Sequence, residues 1–109
     1  MNYKKEVIQK LKEYKENEII ITTHAQTQAF SRGISLKEIK ENIINPKRLF
    51  YAIKQEALFE GEEKYNFYFG YSKTQCHRYI IVLNHECLVC TVIKLNRRWQ
   101  KTAERYAKI

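Results

Sequence analysis

The sequence contains no aspartate: all twelve of its acidic residues are glutamate. This absence excludes magnesium sites built on aspartate and every catalytic triad that contains aspartate. A hydrolase made from this chain is therefore predicted not to be a two-metal enzyme.

Cysteine is scarce, and its number is odd. The three residues Cys76, Cys87 and Cys90 do not predict a disulfide framework. Together with His77 and His85 they form a short cluster that offers a zinc site as an alternative. However, the C-x-x-C pair has no matching second pair, and strand alternation sends its two thiols to opposite faces. We therefore interpret the cysteines as buried apolar thiols, with no metal or cofactor expected.

Long hydrophobic runs are also missing, since no stretch approaches the ~20 apolar residues that cross a bilayer. Repeats, linkers and low-complexity segments are missing as well. The 109 residues therefore predict one domain, 1–109, and 44% hydrophobic content with 13% aromatic residues is typical of a globular protein. The amphipathic N-terminus resembles neither a signal peptide nor a transit peptide, so we expect a cytoplasmic protein without a membrane partner.

The net charge of +8 is unevenly distributed. Residues 1–18 are nearly balanced, with five Lys and four Glu, and residues 55–63 hold four Glu without Lys or Arg. Residues 94–109 hold six Lys or Arg against Glu104 alone. This basic end favours a polyanion such as RNA or DNA, although an acidic protein would be attracted too. A solvated, lysine-rich surface is the simpler alternative.

The first half of the chain has helical periodicity. Apolar residues recur at helical spacing over about Tyr3–Lys15, which predicts a first helix. Glu18–Thr22 then reads as a short buried strand or an extended lead-in. Thr22 or Thr23 is predicted to cap a second helix, which Gly33 ends as a left-handed residue.

A third helix is predicted after this break. Ser35 and Glu38 form a capping box at its start, and Pro46 forbids its continuation.

The second half has the alternation of strands. Four strands are predicted: Arg48–Lys54, Lys64–Ser72, His77–Asn84 and Cys87–Leu95. A two-residue turn at His85-Glu86 would pair Arg78 with Ile93 on one face and His77 with Lys94 on the other. A longer turn would shift these pairs. Helices followed by antiparallel strands predict an α+β domain.

Four residues offer the chemistry of metal-independent RNA cleavage: His24, Arg32, Arg78 and Lys94. Histidine exchanges protons with the ribose hydroxyl or the leaving oxygen, while Arg and Lys stabilise charge on the phosphorane. Each also has a simpler interpretation. His24 can cap its helix, Arg32 is favoured by the helix dipole, and Lys94 can extend from the sheet edge into solvent. Arg78 lies inside an apolar strand, where a charge needs a partner or a ligand.

The C-terminal residues offer a second candidate surface. Arg97, Arg98 and Lys101 flank Trp99, a combination typical of a patch that binds phosphates and stacks on bases. A solvated tail with one hydrophobic anchor is the alternative.

One stretch resembles a known family. The pattern H-A-x-x-x-x-x-x-R-G-I-S-x-x-E-I from His24 to Ile39, a following N-P, and the later H-R-Y-I-I-V and V-x-T-V-I are similar to an uncharacterised bacterial and archaeal domain family. That family is allied to the RelE/ParE toxin superfamily, within the barnase–EndoU–colicin–RelE fold group. The resemblance spans about Ile20 to Leu95.

The resemblance implies two helices packed on a curved antiparallel sheet of about four strands. Residues 19–96 would be this core, with 1–17 an additional helix that replaces an antitoxin contact or mediates self-association as a homodimer. Residues 97–109 would be a basic C-terminal helix or tail.

The resemblance also implies a RelE-like toxin: a metal-independent endoribonuclease acting on RNA, ribosome-associated mRNA included, and bound by a cognate antitoxin. The family's His and its two Arg match His24, Arg32 and Arg78. Similar sequences often carry Arg where this chain has Gln28. The missing positive charge counts against RNA cleavage, unless Lys94 and the terminal arginines supply it. The alternative is a non-catalytic module of the same fold, either a ParE-like inhibitor of a target protein or a nucleic-acid-binding protein.

Overall fold

The computed structural model describes residues 2–96, and the patch at Arg97, Arg98, Trp99 and Lys101 lies outside them. The α+β class is confirmed. The helices are α1 (Lys4–Leu11), α2 (Thr23–Ser31) and α3 (Leu36–Ile44), and a short 3₁₀ helix covers Glu16–Glu18. The strands are β1 (Ile19–Ile21), β2 (Leu49–Gln55), β3 (Glu63–Gly70), β4 (Gln75–Leu83) and β5 (Cys87–Asn96). No helix among residues 2–96 is long and apolar enough to cross a bilayer.

The sheet differs from the one that the resemblance implies. It has five strands in the order β1-β5-β4-β3-β2, and β1 runs parallel to β5. The expected antiparallel sheet of about four strands is therefore wrong in strand number and in its edge strand. The β-branched run Ile19–Ile21 explains the difference, because it pairs with Cys87–Val89, which confirms the short strand rather than the extended lead-in.

The final hairpin has the predicted register over part of its length, although its loop is longer than predicted. Leu83 pairs with Cys87, so the loop has three residues and the two-residue turn is wrong. An irregularity between Ile80 and Ile81 then shifts the register by one residue. The two changes cancel, so the predicted pairs Arg78–Ile93 and His77–Lys94 are confirmed.

The predicted helix ends follow from side-chain caps. The Thr22 hydroxyl accepts a hydrogen bond from the Ala25 amide at 3.1 Å, and the Ser35 hydroxyl accepts one from the Glu38 amide at 3.0 Å. Gly33 has φ of 67°, the left-handed conformation expected after a helix. The first helix ends at Leu11, four residues before its predicted end.

The helices cover one face of the sheet, which we call the inner face. Its core side chains come from all three helices and from every strand, and include Val7, Ala25, Ile43, Phe67, Tyr79 and Val89. The opposite face is called the outer face. Residues paired across strands share a face, so His77, Phe69 and Lys94 lie on the inner face, and Arg78 with Tyr68 lies on the outer face.

Candidate functional site

The sequence-predicted residues of α2 lie at its two ends. His24 is exposed in the first turn, and Arg32 is half-buried at the C-cap. Arg32 Nη1 donates to the Gln28 carbonyl oxygen at 3.3 Å, so part of its hydrogen-bonding capacity serves the helix end. The two residues are eight positions apart, which is a rise of about 12 Å along the helix axis, so they lie about two turns from each other.

The two strand residues lie on opposite faces of the sheet. Lys94 is exposed on the inner face, whereas Arg78 is half-buried on the outer face, away from α2. Arg78 Nε is buried and has no hydrogen-bond partner within residues 2–96. The structure therefore does not gather His24, Arg32, Arg78 and Lys94 around one point, and their catalytic roles stay predictions.

Gln28 has a structural role that explains its place in the sequence. Its Oε1 accepts a hydrogen bond of 2.9 Å from the Val92 amide, which lies on β5 beyond the last residue paired with β1. The side chain thus satisfies a backbone donor that the short edge strand leaves open. Arginine has no acceptor atom and could not replace it here.

The cysteines are not assembled into a metal site. Cys76 lies at the open end of the β4–β5 hairpin and Cys87 at its loop end. No three His, Cys or Glu side chains within residues 2–96 come close enough to hold a metal ion. Burial, followed by the nearby Cys90, raises the pKa of the Cys87 thiol to about 12, which keeps it protonated and unreactive.

A different constellation forms around His77, at the end of the inner face where β4 begins. The imidazole is only 4% exposed and is stacked on the Tyr71 ring, with centroids 4.0 Å apart at 29°. Its Nδ1 is buried, has no hydrogen-bond partner in the described chain, and lies 3.9 Å from Glu38 Oε2. That distance is too long for a hydrogen bond, but the carboxylate attracts the imidazole once it is protonated.

Two tyrosines and an asparagine support this histidine. The buried Asn42 donates from Nδ2 to the phenol oxygens of Tyr71 and Tyr79, at 2.5 and 2.8 Å. Burial, more than any neighbour, raises the pKa of Tyr71 to about 12 and raises the pKa of Tyr79 further. Both phenols therefore stay protonated at neutral pH, and the Asn42 amide fixes their positions.

Two cations lie next to this constellation. The Arg48 guanidinium carbon lies 4.3 Å from the centroid of the Tyr71 ring, and Lys94 lies directly across the strand pair from His77. Burial first, and then the charges of Lys94 and Arg48, lower the pKa of His77, against an opposing effect of Glu38. The imidazole is therefore neutral at pH 7 and can accept a proton.

We call Glu38, Arg48, Tyr71, His77 and Lys94, with their supports Asn42 and Tyr79, the His77 cluster. It unites a base, a carboxylate, a phenol and two cations, which is a set suited to acid–base chemistry beside an anion. Sequence reasoning missed it because its members come from α3, β4, β5 and two connecting segments, which are far apart in the sequence. One signal was available, since the predicted pairing already placed His77 opposite Lys94.

The chain matches no protein-family model, no curated protein and no solved structure. The resemblance to the RelE/ParE-allied family therefore stays a prediction.

Proposed function

We propose that this protein is a RelE-like endoribonuclease that cleaves RNA without a metal ion, and that it acts as the toxin of a toxin–antitoxin pair. We further propose that the His77 cluster supplies the acid–base groups. The supporting observation is a neutral, buried imidazole whose Nδ1 has no hydrogen-bond partner, between a carboxylate and two cations. The net charge of +8 favours a polyanionic substrate.

The cluster provides a group for each part of the reaction. His77 takes the proton of the ribose 2′-hydroxyl, whose oxygen then attacks the phosphorus atom. Arg48 and Lys94 stabilise the negative charge of the phosphorane, as fixed cations do in a partly buried site. Tyr71 gives its proton to the departing 5′-oxygen, and water then carries the proton of the His77 imidazolium back to the tyrosinate, which restores both groups. Glu38 stabilises the imidazolium that forms. The products are a 2′,3′-cyclic phosphate and a free 5′-hydroxyl.

The test is RNA cleavage by the purified protein in EDTA, with and without ribosomes. We expect His77→Gln to lower the cleavage rate at least a hundredfold, the usual contribution of one acid–base group. His24→Ala tests the base that the sequence predicts instead, and with His77 as the base it should change the rate less than threefold. No cleavage by the natural sequence in either setting, or equal losses in both variants, would reject the proposal.

A second candidate is a non-catalytic binding module of the same fold. It is favoured by the low exposure of His77, because a side chain that is 4% exposed has little direct access to substrate. In that case the cations Arg48 and Lys94 bind RNA or an acidic protein without chemistry. RNA binding that weakens steeply with salt and yields no product would support this candidate over the enzyme. Growth arrest that survives both His77→Gln and His24→Ala would do the same.

A further inference from the structure

An open groove lies next to the His77 cluster, between the last turn of α3 and the start of β2. Its volume is about 430 Å³. That volume falls in the range of small-molecule sites. The lining residues are Glu41, Asn42, Ile44, Asn45, Lys47 and Arg48. Two of them, Asn42 and Arg48, also belong to the His77 cluster, so the two sites are continuous.

Asn42 connects the groove to the tyrosines. It is 6% exposed, and its Nδ2 already donates to the phenols of Tyr71 and Tyr79. Its Oδ1 accepts no hydrogen bond from any residue in 2–96. A nearly buried amide held in a fixed orientation thus keeps an acceptor for a ligand, and satisfying that acceptor is favourable.

The remaining lining residues divide by chemistry. Ile44 is 42% exposed and offers an apolar surface, while the Asn45 amide and the Glu41 carboxylate offer hydrogen-bonding groups. Lys47 and Arg48 are exposed cations at the β2 side of the groove. An apolar surface for a base, polar groups for its edge and cations for a phosphate together match a nucleotide.

We infer that this groove binds one nucleotide of the RNA strand, next to the phosphate that is cleaved at His77. The inference rests on the proposed function for the identity of the ligand. Arg48 joins the two sites, because its guanidinium lies over Tyr71 and also lines the groove. Asn42 Oδ1 and Glu41 accept hydrogen bonds, so the groove selects bases that carry an exocyclic amino group over uracil.

The test measures the affinity of the full chain for each of the four ribonucleoside 3′-monophosphates separately, by NMR titration. We expect tighter binding of the adenine, cytosine and guanine nucleotides than of the uracil nucleotide. Lys47→Glu should weaken binding five- to tenfold. Lys12→Glu is the matched control, because it makes the same charge change at an exposed position at the end of α1. It should change affinity less than twofold.

A second variant tests the hydrogen-bonding part of the groove. Asn45→Ala removes a side chain that makes no hydrogen bond within residues 2–96. The fold should therefore be unaffected, while the preference between bases shrinks at least threefold. Equal losses in Lys47→Glu and Lys12→Glu, or no binding of any nucleotide, would overturn the inference in favour of a diffuse surface field.

The outcomes also separate this inference from the proposed function. If the protein never cleaves RNA but binds nucleotides in a way that depends on Lys47, the proposed enzyme activity is rejected. The groove is then retained as a binding site. If RNA cleavage depends on His77 but keeps its base preference in Asn45→Ala and Lys47→Glu, the groove is not the nucleotide site. The proposed enzyme activity is then retained.

Discussion

Two polar clusters occupy opposite ends of the inner face, and both contain lysine, glutamate and tyrosine, whereas histidine and arginine occur only in the first. The first is the His77 cluster. The second, which we call the Lys10 cluster, contains Lys10, Tyr14, Glu63 and Tyr65. β3 begins at Glu63 and ends beside the first cluster, so the two are about 20 Å apart along the strand.

In the Lys10 cluster the polar groups have partners. Lys10 Nζ pairs with Glu63 Oε2, and the Tyr65 hydroxyl donates to the same oxygen at 2.8 Å. These contacts, led by the hydrogen bond from Lys10, lower the pKa of Glu63. The Tyr14 hydroxyl donates to the Asn84 carbonyl at 2.6 Å, which fixes α1 to the hairpin loop. A satisfied network of this kind has the character of a structural element.

The polar groups of the His77 cluster are not all paired in this way. Its central nitrogen, His77 Nδ1, is buried without a hydrogen bond, and neither Arg48 nor Lys94 forms an ion pair within residues 2–96. Leaving the buried His77 Nδ1 without a partner costs stability that a purely structural cluster would recover, and no carboxylate neutralises the exposed Arg48 and Lys94 within residues 2–96. The comparison shows that lysine, glutamate and tyrosine occur in both clusters, whereas a buried nitrogen without a partner occurs only in the His77 cluster.

The largest expected difference between the clusters is in catalysis. Tyr65→Phe removes a hydroxyl with a raised pKa from the Lys10 cluster and should leave RNA cleavage within threefold of the natural sequence. His77→Gln should lower it at least a hundredfold, about 2.7 kcal/mol of transition-state stabilisation. Single-turnover cleavage in EDTA measures both. Similar losses in the two variants would show that neither cluster is the site and that cleavage depends on overall stability.

Stability should respond most to Asn42. Asn42→Leu keeps the volume but removes the donor shared by Tyr71 and Tyr79, so the fully buried Tyr79 hydroxyl loses a partner. We expect a loss of about 2 kcal/mol in the free energy of unfolding, measured by urea denaturation. Asn45→Ala, three residues away and exposed, is the control and should cost less than about 0.5 kcal/mol. Matching values would mean that the Asn42 bonds add nothing to the fold.

Local sequence signals predicted much of this fold. The caps at Thr22 and Ser35, the left-handed Gly33 and the stop before Pro46 depend only on residues within one turn of each other. All four predicted strands are present, with ends within two residues of their expected positions. Two errors were local, namely the length of the hairpin loop and the end of the first helix, but the error in the sheet arose where distant segments meet. The parallel pairing of Ile19–Ile21 with β5 depends on residues almost seventy positions apart.

The candidate site was predicted less well, for the same physical reason. His24 and Arg32 share one edge of a helix, which periodicity reveals, but periodicity gives no information on which face of the sheet lies near them. Asn42 donates a hydrogen bond to Tyr79, which is 37 residues away in the sequence, and no local sequence pattern predicts that contact. The pairing of His77 with Lys94 was predicted, but that pairing alone does not show that Glu38 and Tyr71 pack against the imidazole.

The two clusters should change the stability of the protein in different pH ranges. The pKa of His77 is lowered from about 6.5, so the unfolded chain binds its proton more readily than the folded chain. The contribution of a neutral His77 is thus complete above pH 6.5 and is lost as pH falls toward the lower folded pKa. Unfolding measured between pH 7.5 and 5.5 should show the natural sequence losing more stability than His77→Phe.

The Lys10 cluster should respond in a more acidic range. The pKa of Glu63 is lowered from 4.5, so the stability that it contributes is present above that value and is lost below it. Glu63→Gln should therefore differ from the natural sequence mainly in its response below pH 4.5. Two profiles that titrate in the same range would contradict the assignment of separate roles.

The smallest effect is expected from the Lys10–Glu63 pair itself. Its side chains are 40% and 33% exposed, so solvent screens the attraction and ordering two long side chains offsets part of it. A double-mutant cycle with Lys10→Met and Glu63→Gln should give a coupling of at most about 1 kcal/mol, shrinking further in 1 M salt. A salt-independent coupling well above that value would mean that the pair is effectively buried. The Lys10 cluster would then carry a strong, closed interaction, and the contrast with the unpaired His77 cluster would be sharper still.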